Sequence, residues 1–232
     1  MQANEIEPKL KELSRLASSE EPGLAHRLDE VRRWIKDMRP GLLMQKNVLM
    51  AFLLELISDA DFWLNLKSLE EEERQLFLDR LSSPVRYWYE VLFPKWFNEN
   101  DSRFYVWKQK LRSGEFDRED AELIEAIAAM VASREGIVVH RYIADLSMAT
   151  DVIVSSSSRG KPLCVQLTTM SDKFSEVKYN EWKHTLQQWQ IERGIFISYN
   201  PGEDEFVDRL VNVVLHNSNH LDRKKYVKFS FC

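Results

Sequence analysis

Two short apolar runs decide the fold of this chain: Thr150-Asp151-Val152-Ile153-Val154 and Pro162-Leu163-Cys164-Val165-Gln166-Leu167-Thr168-Thr169, joined by a polar turn from Ser155 to Lys161. Runs of β-branched residues bounded by turn-forming residues predict two neighbouring strands of a hairpin. Asp151 opens the first strand, while Gln166 and Thr168 lie inside the second. Because residues two apart on a strand point to the same face, Gln166 and Thr168 share a face, and the hairpin can bring Asp151 beside Gln166.

Elements of both kinds surround this hairpin. An amphipathic helix over residues 120–132 precedes the apolar run Ile137-Val138-Val139, and a polar helix over about 176–192 precedes a strand at 194–199. A further amphipathic helix begins near Phe206, and residues 226–231 alternate like an edge strand. The order α-β-β-β-α-β followed by α-β predicts an α/β (α+β) domain over residues 116–232.

Residues 1–115 have a different pattern, which predicts an all-helical domain. Leucines at helical spacing predict helices near residues 8–16 and 23–38, and a nearly all-round apolar stretch predicts a central helix at 42–58. Aromatic and basic residues then alternate between Tyr87 and Arg112. Such a mixture is compatible with stacking on nucleic-acid bases, but large rings more often fill a core, which is the favoured interpretation here.

Composition narrows the class of protein. The formal net charge of −5 gives no global basic field for nucleic acid, although a local basic cleft is still compatible with it. The two cysteines, Cys164 and Cys232, form neither a disulfide framework nor a zinc-ligand spacing, which favours a reducing cytoplasm. The polar N-terminus is unlike a signal peptide, and the apolar stretch from Leu42 to Ile57 is too short and polar for a membrane span.

The hairpin residues suggest a metal site on chemical grounds. The Asp151 carboxylate, the Gln166 amide oxygen and the Leu167 backbone carbonyl are hard oxygen donors, which are the ligands that Mg²⁺ prefers. Glu125 on the preceding helix is a candidate second carboxylate. Alternatively, Asp151 is a surface or capping acid at the start of a strand, and Gln166 only bonds to its neighbours.

The segment from about Asp120 to Tyr199 resembles the PD-(D/E)XK nuclease superfamily, which includes restriction-endonuclease-like and Holliday-resolvase-like members. In this resemblance Glu125 lies on the helix before the sheet, Thr150-Asp151 takes the place of Pro-Asp, and Val165-Gln166-Leu167-Thr168 takes the place of the apolar-acid-x-lysine strand. The resemblance implies an αβββαβ core, hydrolysis of DNA phosphodiester bonds with Mg²⁺ or Mn²⁺, and metal ligation by Asp151, Gln166 and Glu125. It covers about 80 residues and leaves the helical region outside.

Two positions depart from the motif of that superfamily. Gln166 stands in place of an acid, and Thr168 stands in place of the lysine that would orient water and neutralise developing charge. Candidates for a relocated lysine follow the hairpin, with Lys178 the expected catalytic one: Lys161, Lys173, Lys178 and Lys183. Arg159, Lys161 and Lys173 are the expected contacts to nucleic-acid phosphates.

Three functions remain open at this point. The first is a divergent Mg²⁺-dependent DNA endonuclease, in which Asp151, Gln166, Glu125, Thr168 and Lys178 form the site. The resemblance implies a homodimer for this function. The second is a catalytically inactive nuclease-fold protein that binds nucleic acid or a protein partner as a regulatory subunit. The third is an interaction module that binds through its aromatic residues.

Overall fold

The chain forms two compact units in the computed structural model, which describes residues 1–36, 38, 47–113, 118–169, 172–200 and 206–231, without the side chains of 118–121 and 172–175. One unit comprises Met1–Asp79 and Tyr89–Phe116, and the other comprises Arg80–Trp88 and Asp117–Cys232. The sequence had assigned residues 80–88 to the helical region. They join the second unit because a short helix at Ser83–Tyr87 packs on two of its strands.

The first unit is helical, as expected for this part of the chain. Its described helices are α1 (Ala3–Ala17), α2 (Pro22–Lys36), α3 (Asn47–Ser68), α4 (Glu71–Arg80), α6 (Phe93–Asn98) and α7 (Phe104–Ser113). Between α4 and α6 lie α5 (Ser83–Tyr87), which belongs to the second unit, and a π-helical turn (Trp88–Leu92). Helices α1 and α2 pack along each other and bury leucines spaced three or four residues apart. The predicted start of the central helix at residue 42 lies outside the described residues.

The aromatic residues of this unit are mainly core residues. Phe93, Trp96 and Trp107 are buried, and the guanidinium of Arg27 lies over the ring of Trp96 at 5.2 Å. Tyr105 differs, since 70% of it is exposed. The interpretation of the buried rings as core is therefore confirmed.

The second unit is built on a five-stranded mixed sheet. Its strands are β1 (Ile137–Val139), β2 (Val152–Ser155), β3 (Leu163–Thr168), β4 (Arg193–Tyr199) and β5 (Lys225–Phe231), in the order β1-β2-β3-β4-β5. The pairs β1–β2 and β2–β3 are antiparallel, whereas β3–β4 and β4–β5 are parallel. The helices are α8 (Arg118–Ser133), α9 (Tyr142–Met148), α10 (Asp172–Gln188) and α11 (Phe206–His220).

One face of this sheet packs against α8 and α11. Its core residues alternate along the strands, as the period of two requires. They are Val152, Val154, Leu163, Val165, Ile195 and Ile197 from the sheet, with Ile127, Val131, Leu210, Val211 and Val214 from the helices. Each is at most 1% exposed, so this face supplies the main hydrophobic core of the unit.

The other face is contacted by α10, which also bonds to the end of α9 and to the residue after it. The Trp182 indole donates to the Ala149 carbonyl at 3.1 Å, and the Trp189 indole donates to the Ser147 carbonyl at 2.9 Å. A Cβ at Gly194 would lie 2.7 Å from a Leu186 methyl group, so glycine is required for α10 to approach β4 this closely. Helix α9 itself was not predicted from the sequence.

Candidate functional site

The register of the hairpin places Asp151 opposite Gln166. Strands β2 and β3 pair Val152 with Val165, so the antiparallel register puts the preceding residue, Asp151, beside Gln166. The Asp151 backbone N–H donates to the Val165 carbonyl at 2.9 Å and extends the ladder by one bond. Both side chains are half-buried on the sheet face that α10 contacts. The predicted proximity of Asp151 and Gln166 is therefore confirmed.

The Asp151 carboxylate is held by donors from β3. The Gln166 amide nitrogen Nε2 donates to Oδ1 at 2.9 Å and to Oδ2 at 2.8 Å. The Leu167 backbone N–H donates to Oδ2 at 2.6 Å. Hydrogen bonds to an ionised acceptor are stronger than neutral ones, so these contacts fix the carboxylate at the start of β2.

Three oxygens surround the amide nitrogen of Gln166. Besides the two Asp151 oxygens, Nε2 lies 3.1 Å from the Leu167 carbonyl oxygen. The opposite amide orientation would turn Oε1 toward three acceptors and would be repulsive, so hydrogen bonding assigns the nitrogen to this position. The partially positive NH₂ group therefore occupies a position surrounded by three oxygen atoms of the protein.

A cation would find a hard-donor set at this point. The Asp151 carboxylate, the Leu167 carbonyl and the Gln166 amide oxygen after a half-turn of its amide fit a hard ion such as Mg²⁺. They supply a single negative charge. Within the described part of the chain, no group of three or more His, Cys, Asp or Glu side chains is placed to hold a metal ion.

Glu125 is not brought to this set. It is exposed on α8, and Ile127 and Val131 of that helix pack against the Val152 and Val165 face of the sheet. Gln166 points to the opposite face. The sequence placed Glu125 on the correct helix but could not indicate which face of the sheet that helix covers.

The lysine candidates differ in their positions. Lys178 is exposed on α10 and makes no hydrogen bond or ion pair with the described residues. The side chain of Lys173 lies outside the described residues. Arg159 and Lys161 are exposed at the tip of the hairpin. That tip lies beyond Ser155, which ends β2 about 13 Å from Asp151 at 3.3 Å per residue.

Sequence reasoning missed a lysine on the same face as Gln166. Register across the parallel strands aligns Gln166 with Phe196 and Phe196 with Lys228, so these residues form one row with Asp151. The Lys228 ammonium lies 3.1 Å from the Glu176 carboxylate. The alternation of β5 was visible in the sequence, but its neighbour in the sheet was not, and only the strand order reveals the row.

A row of hydroxyl groups lies next to these residues, toward the ends of the three parallel strands. Thr168 pairs in register with Ser198, and Ser198 pairs with Ser230. The Ser198 hydroxyl donates to the Ser230 hydroxyl at 3.2 Å. Thr168 thus contributes a neutral hydroxyl group where the superfamily motif has a cation.

Cys164 shares the face of Gln166 but is not a nucleophile. It is 1% exposed, and burial raises the pKa of its thiol to about 12. A thiol with so high a pKa is almost entirely protonated near neutrality, so it forms little thiolate. The chemistry of this face therefore rests on Asp151, Gln166 and the Leu167 carbonyl.

Comparison with known proteins identifies no relative of this chain. The chain matches no protein-family model, no curated protein and no solved structure. Among the described helices, none is long and apolar enough to cross a membrane.

Proposed function

We propose that the protein is a divergent Mg²⁺-dependent DNA endonuclease whose site is formed by Asp151, Gln166 and the Leu167 carbonyl. The observation that supports this function is the convergence of three protein oxygens on the Gln166 amide nitrogen, at 2.8 to 3.1 Å. A half-turn of that amide adds a fourth oxygen donor. Mn²⁺ prefers similar oxygen ligands and is a second suitable ion.

The architecture supports a restriction-endonuclease-like core in the second unit. Helix α8 precedes three antiparallel strands, β1 to β3, and α10 then connects β3 to the parallel strand β4. This order corresponds to the αβββαβ core that the PD-(D/E)XK resemblance implies, with α9 added between β1 and β2. In this proposal β5 extends the sheet and places Lys228 on the same face as Gln166.

The residues of the site would act through charge and position. A bound Mg²⁺ supplies Lewis-acid polarisation of a phosphodiester and favours deprotonation of water. Asp151 supplies the negative charge of the ligand set. The hydrogen bond from the Leu167 N–H keeps the Asp151 carboxylate oriented toward β3. The Thr168 hydroxyl can donate or accept a hydrogen bond with water, but it contributes no positive charge.

A second function is favoured by a specific observation. In the structure the NH₂ group of Gln166 already satisfies both Asp151 oxygens, as an internal substitute for a cation. The motif lysine is also absent. These features support a nuclease-fold protein that does not cleave and that binds nucleic acid or a protein partner as a regulatory subunit.

Cleavage assays separate these functions. Supercoiled plasmid and labelled oligonucleotides are incubated with Mg²⁺ or Mn²⁺ and with the wild-type protein, Asp151→Ala or Asp222→Ala. Asp222 is an exposed aspartate outside the site and serves as the matched control. For the endonuclease, cleavage occurs with wild type and Asp222→Ala but not with Asp151→Ala. Equal cleavage by all three proteins would show that the activity does not depend on Asp151 and would contradict the proposed site.

Absence of cleavage is informative when binding is measured in parallel. Saturable DNA binding without cleavage selects the nucleic-acid-binding function, and absence of both leaves the protein-partner function.

The variant Gln166→Glu tests whether Mg²⁺ binds beside Asp151. A second carboxylate at this position should tighten Mg²⁺ binding by about tenfold or more. No gain in Mg²⁺ affinity in this variant would contradict a metal position beside Asp151.

A further inference from the structure

Two histidines stand four residues apart at the end of α11. His216 and His220 are both exposed, and their rings stack with centroids 4.2 Å apart and an interplanar angle of 19°. Residues i and i+4 of a helix are neighbours on one face, which is the spacing by which paired histidines bind zinc in helical motifs. Two nitrogens bound to one tetrahedral Zn²⁺ are about 3.3 Å apart, a distance that two rings with centroids 4.2 Å apart can reach by rotation about their side-chain bonds.

The His220 ring is held in the tautomer that a metal requires. Its Nδ1 lies 2.7 Å from the His216 carbonyl oxygen. A carbonyl oxygen only accepts, so Nδ1 carries the hydrogen and Nε2 presents its lone pair. Histidines that bind metals characteristically donate their other ring N–H to such an acceptor, which fixes the orientation of the ring.

The last turns of α11 are firmly anchored beneath these rings. The buried Arg193 guanidinium donates to the carbonyls of Asn217, Ser218 and Leu221 at 2.6 to 3.0 Å. The Ser156 hydroxyl donates to the Asn219 side chain at 2.5 Å. These bonds oppose fraying of the helix end, so the two histidines are carried by a rigid element.

We propose that His216 and His220 form a surface chelate for one divalent transition-metal ion, with Zn²⁺ as the reference ion and water completing its coordination. Imidazole nitrogen suits Zn²⁺, Ni²⁺ and Cu²⁺ but not Mg²⁺, so this site differs in chemistry from the oxygen donors around Asp151. The negative end of the α11 dipole also favours a cation at this position. The proposal does not depend on the nuclease function.

Calorimetric titration of the full chain with ZnCl₂ tests the site. One Zn²⁺ should bind per chain, and both His216→Ala and His220→Ala should weaken binding by about tenfold or more, because each removes half of the protein ligands. The controls are His26→Ala and His184→Ala, which remove exposed histidines on α2 and α10. Both controls should bind Zn²⁺ like the wild type. MgCl₂ should give no histidine-dependent heat.

The histidine resonances provide a second readout. Zn²⁺ should shift the ring signals of His216 and His220 together, and circular dichroism should show that the variants remain folded, since both side chains are exposed. Unchanged Zn²⁺ affinity in His216→Ala and His220→Ala would overturn the proposal. So would ring signals of this pair that do not respond to Zn²⁺ in the wild-type protein.

Discussion

The two faces of the sheet in the second unit share the same strands but have different compositions. The central residues of the face toward α8 and α11 are valine, leucine and isoleucine, each almost completely buried. The face that α10 contacts carries Asp151, Gln166, Thr168 and Lys228, interrupted by Cys164 and by aromatic rings. On the second face Asp151 pairs with Gln166, and Ser198 pairs with Ser230, while Lys228 pairs with Glu176 of α10. Such pairing offsets the cost of burying polar groups.

This difference indicates a division of roles between the faces. Burial of apolar area is the main source of stability, so the first face should dominate the free energy of unfolding. The second face contributes less to stability and presents the oxygen and hydroxyl groups that can contact a ligand. Substitutions on the two faces should therefore separate stability from binding.

The largest loss of stability is expected from Arg193→Ala. Arg193 shares the apolar face, and its guanidinium donates to the carbonyls of Pro162, Asn217, Ser218 and Leu221. Burial lowers the pKa of this guanidinium, and the four acceptors hold it in place. Their loss should cost about 3–5 kcal/mol of unfolding free energy, measured by urea denaturation.

Arg223→Ala is the control for this substitution, because the Arg223 side chain is 84% exposed. It should change stability by less than about 0.5 kcal/mol. A similar small effect for Arg193→Ala would show that this guanidinium does not stabilise the packing of the apolar face.

A smaller loss is expected from Gln166→Leu on the polar face. The variant removes the amide that donates to Asp151 and retains the hydrogen bond from the Leu167 N–H to the carboxylate. The cost should be about 1–2 kcal/mol in the same denaturation experiment. Thr168→Val is the control of similar size on the same face, and it should change stability by less than about 0.5 kcal/mol. Equal stabilities for wild type and Gln166→Leu would refute a stabilising bond between Gln166 and Asp151.

The smallest effect is expected when Cys164 of the native protein is exposed to a thiol reagent. In a Cys232→Ser background at pH 8, a thiol of pKa about 12 is ionised in only about one molecule in 10⁴. The native protein should stay unlabelled, whereas the denatured protein should react fully. Because the pKa is raised, native reactivity should increase only as the pH approaches 12. Rapid labelling of the native protein would show that this position is open to solvent.

Much of the second unit could be predicted from the sequence because strand periodicity is local. The apolar runs Val152–Val154 and Leu163–Thr168, bounded by turn-forming residues, predicted both strands, and their short connection predicted the antiparallel pair. Helix α9 was missed because a seven-residue helix offers little periodicity. The membership of residues 80–88 was missed because it depends on the contact of α5 with β1 and β2.

The sequence by itself determined which residues share a face of each strand, and hence that Asp151 and Gln166 can meet. Only the tertiary structure decided that Lys228 joins their row and that α8 keeps Glu125 on the other face of the sheet. It also decided that the Gln166 nitrogen, rather than its oxygen, faces Asp151. The physical reason is range: the period of a strand is set by its backbone, whereas strand order, helix placement and amide orientation depend on partners distant in the chain.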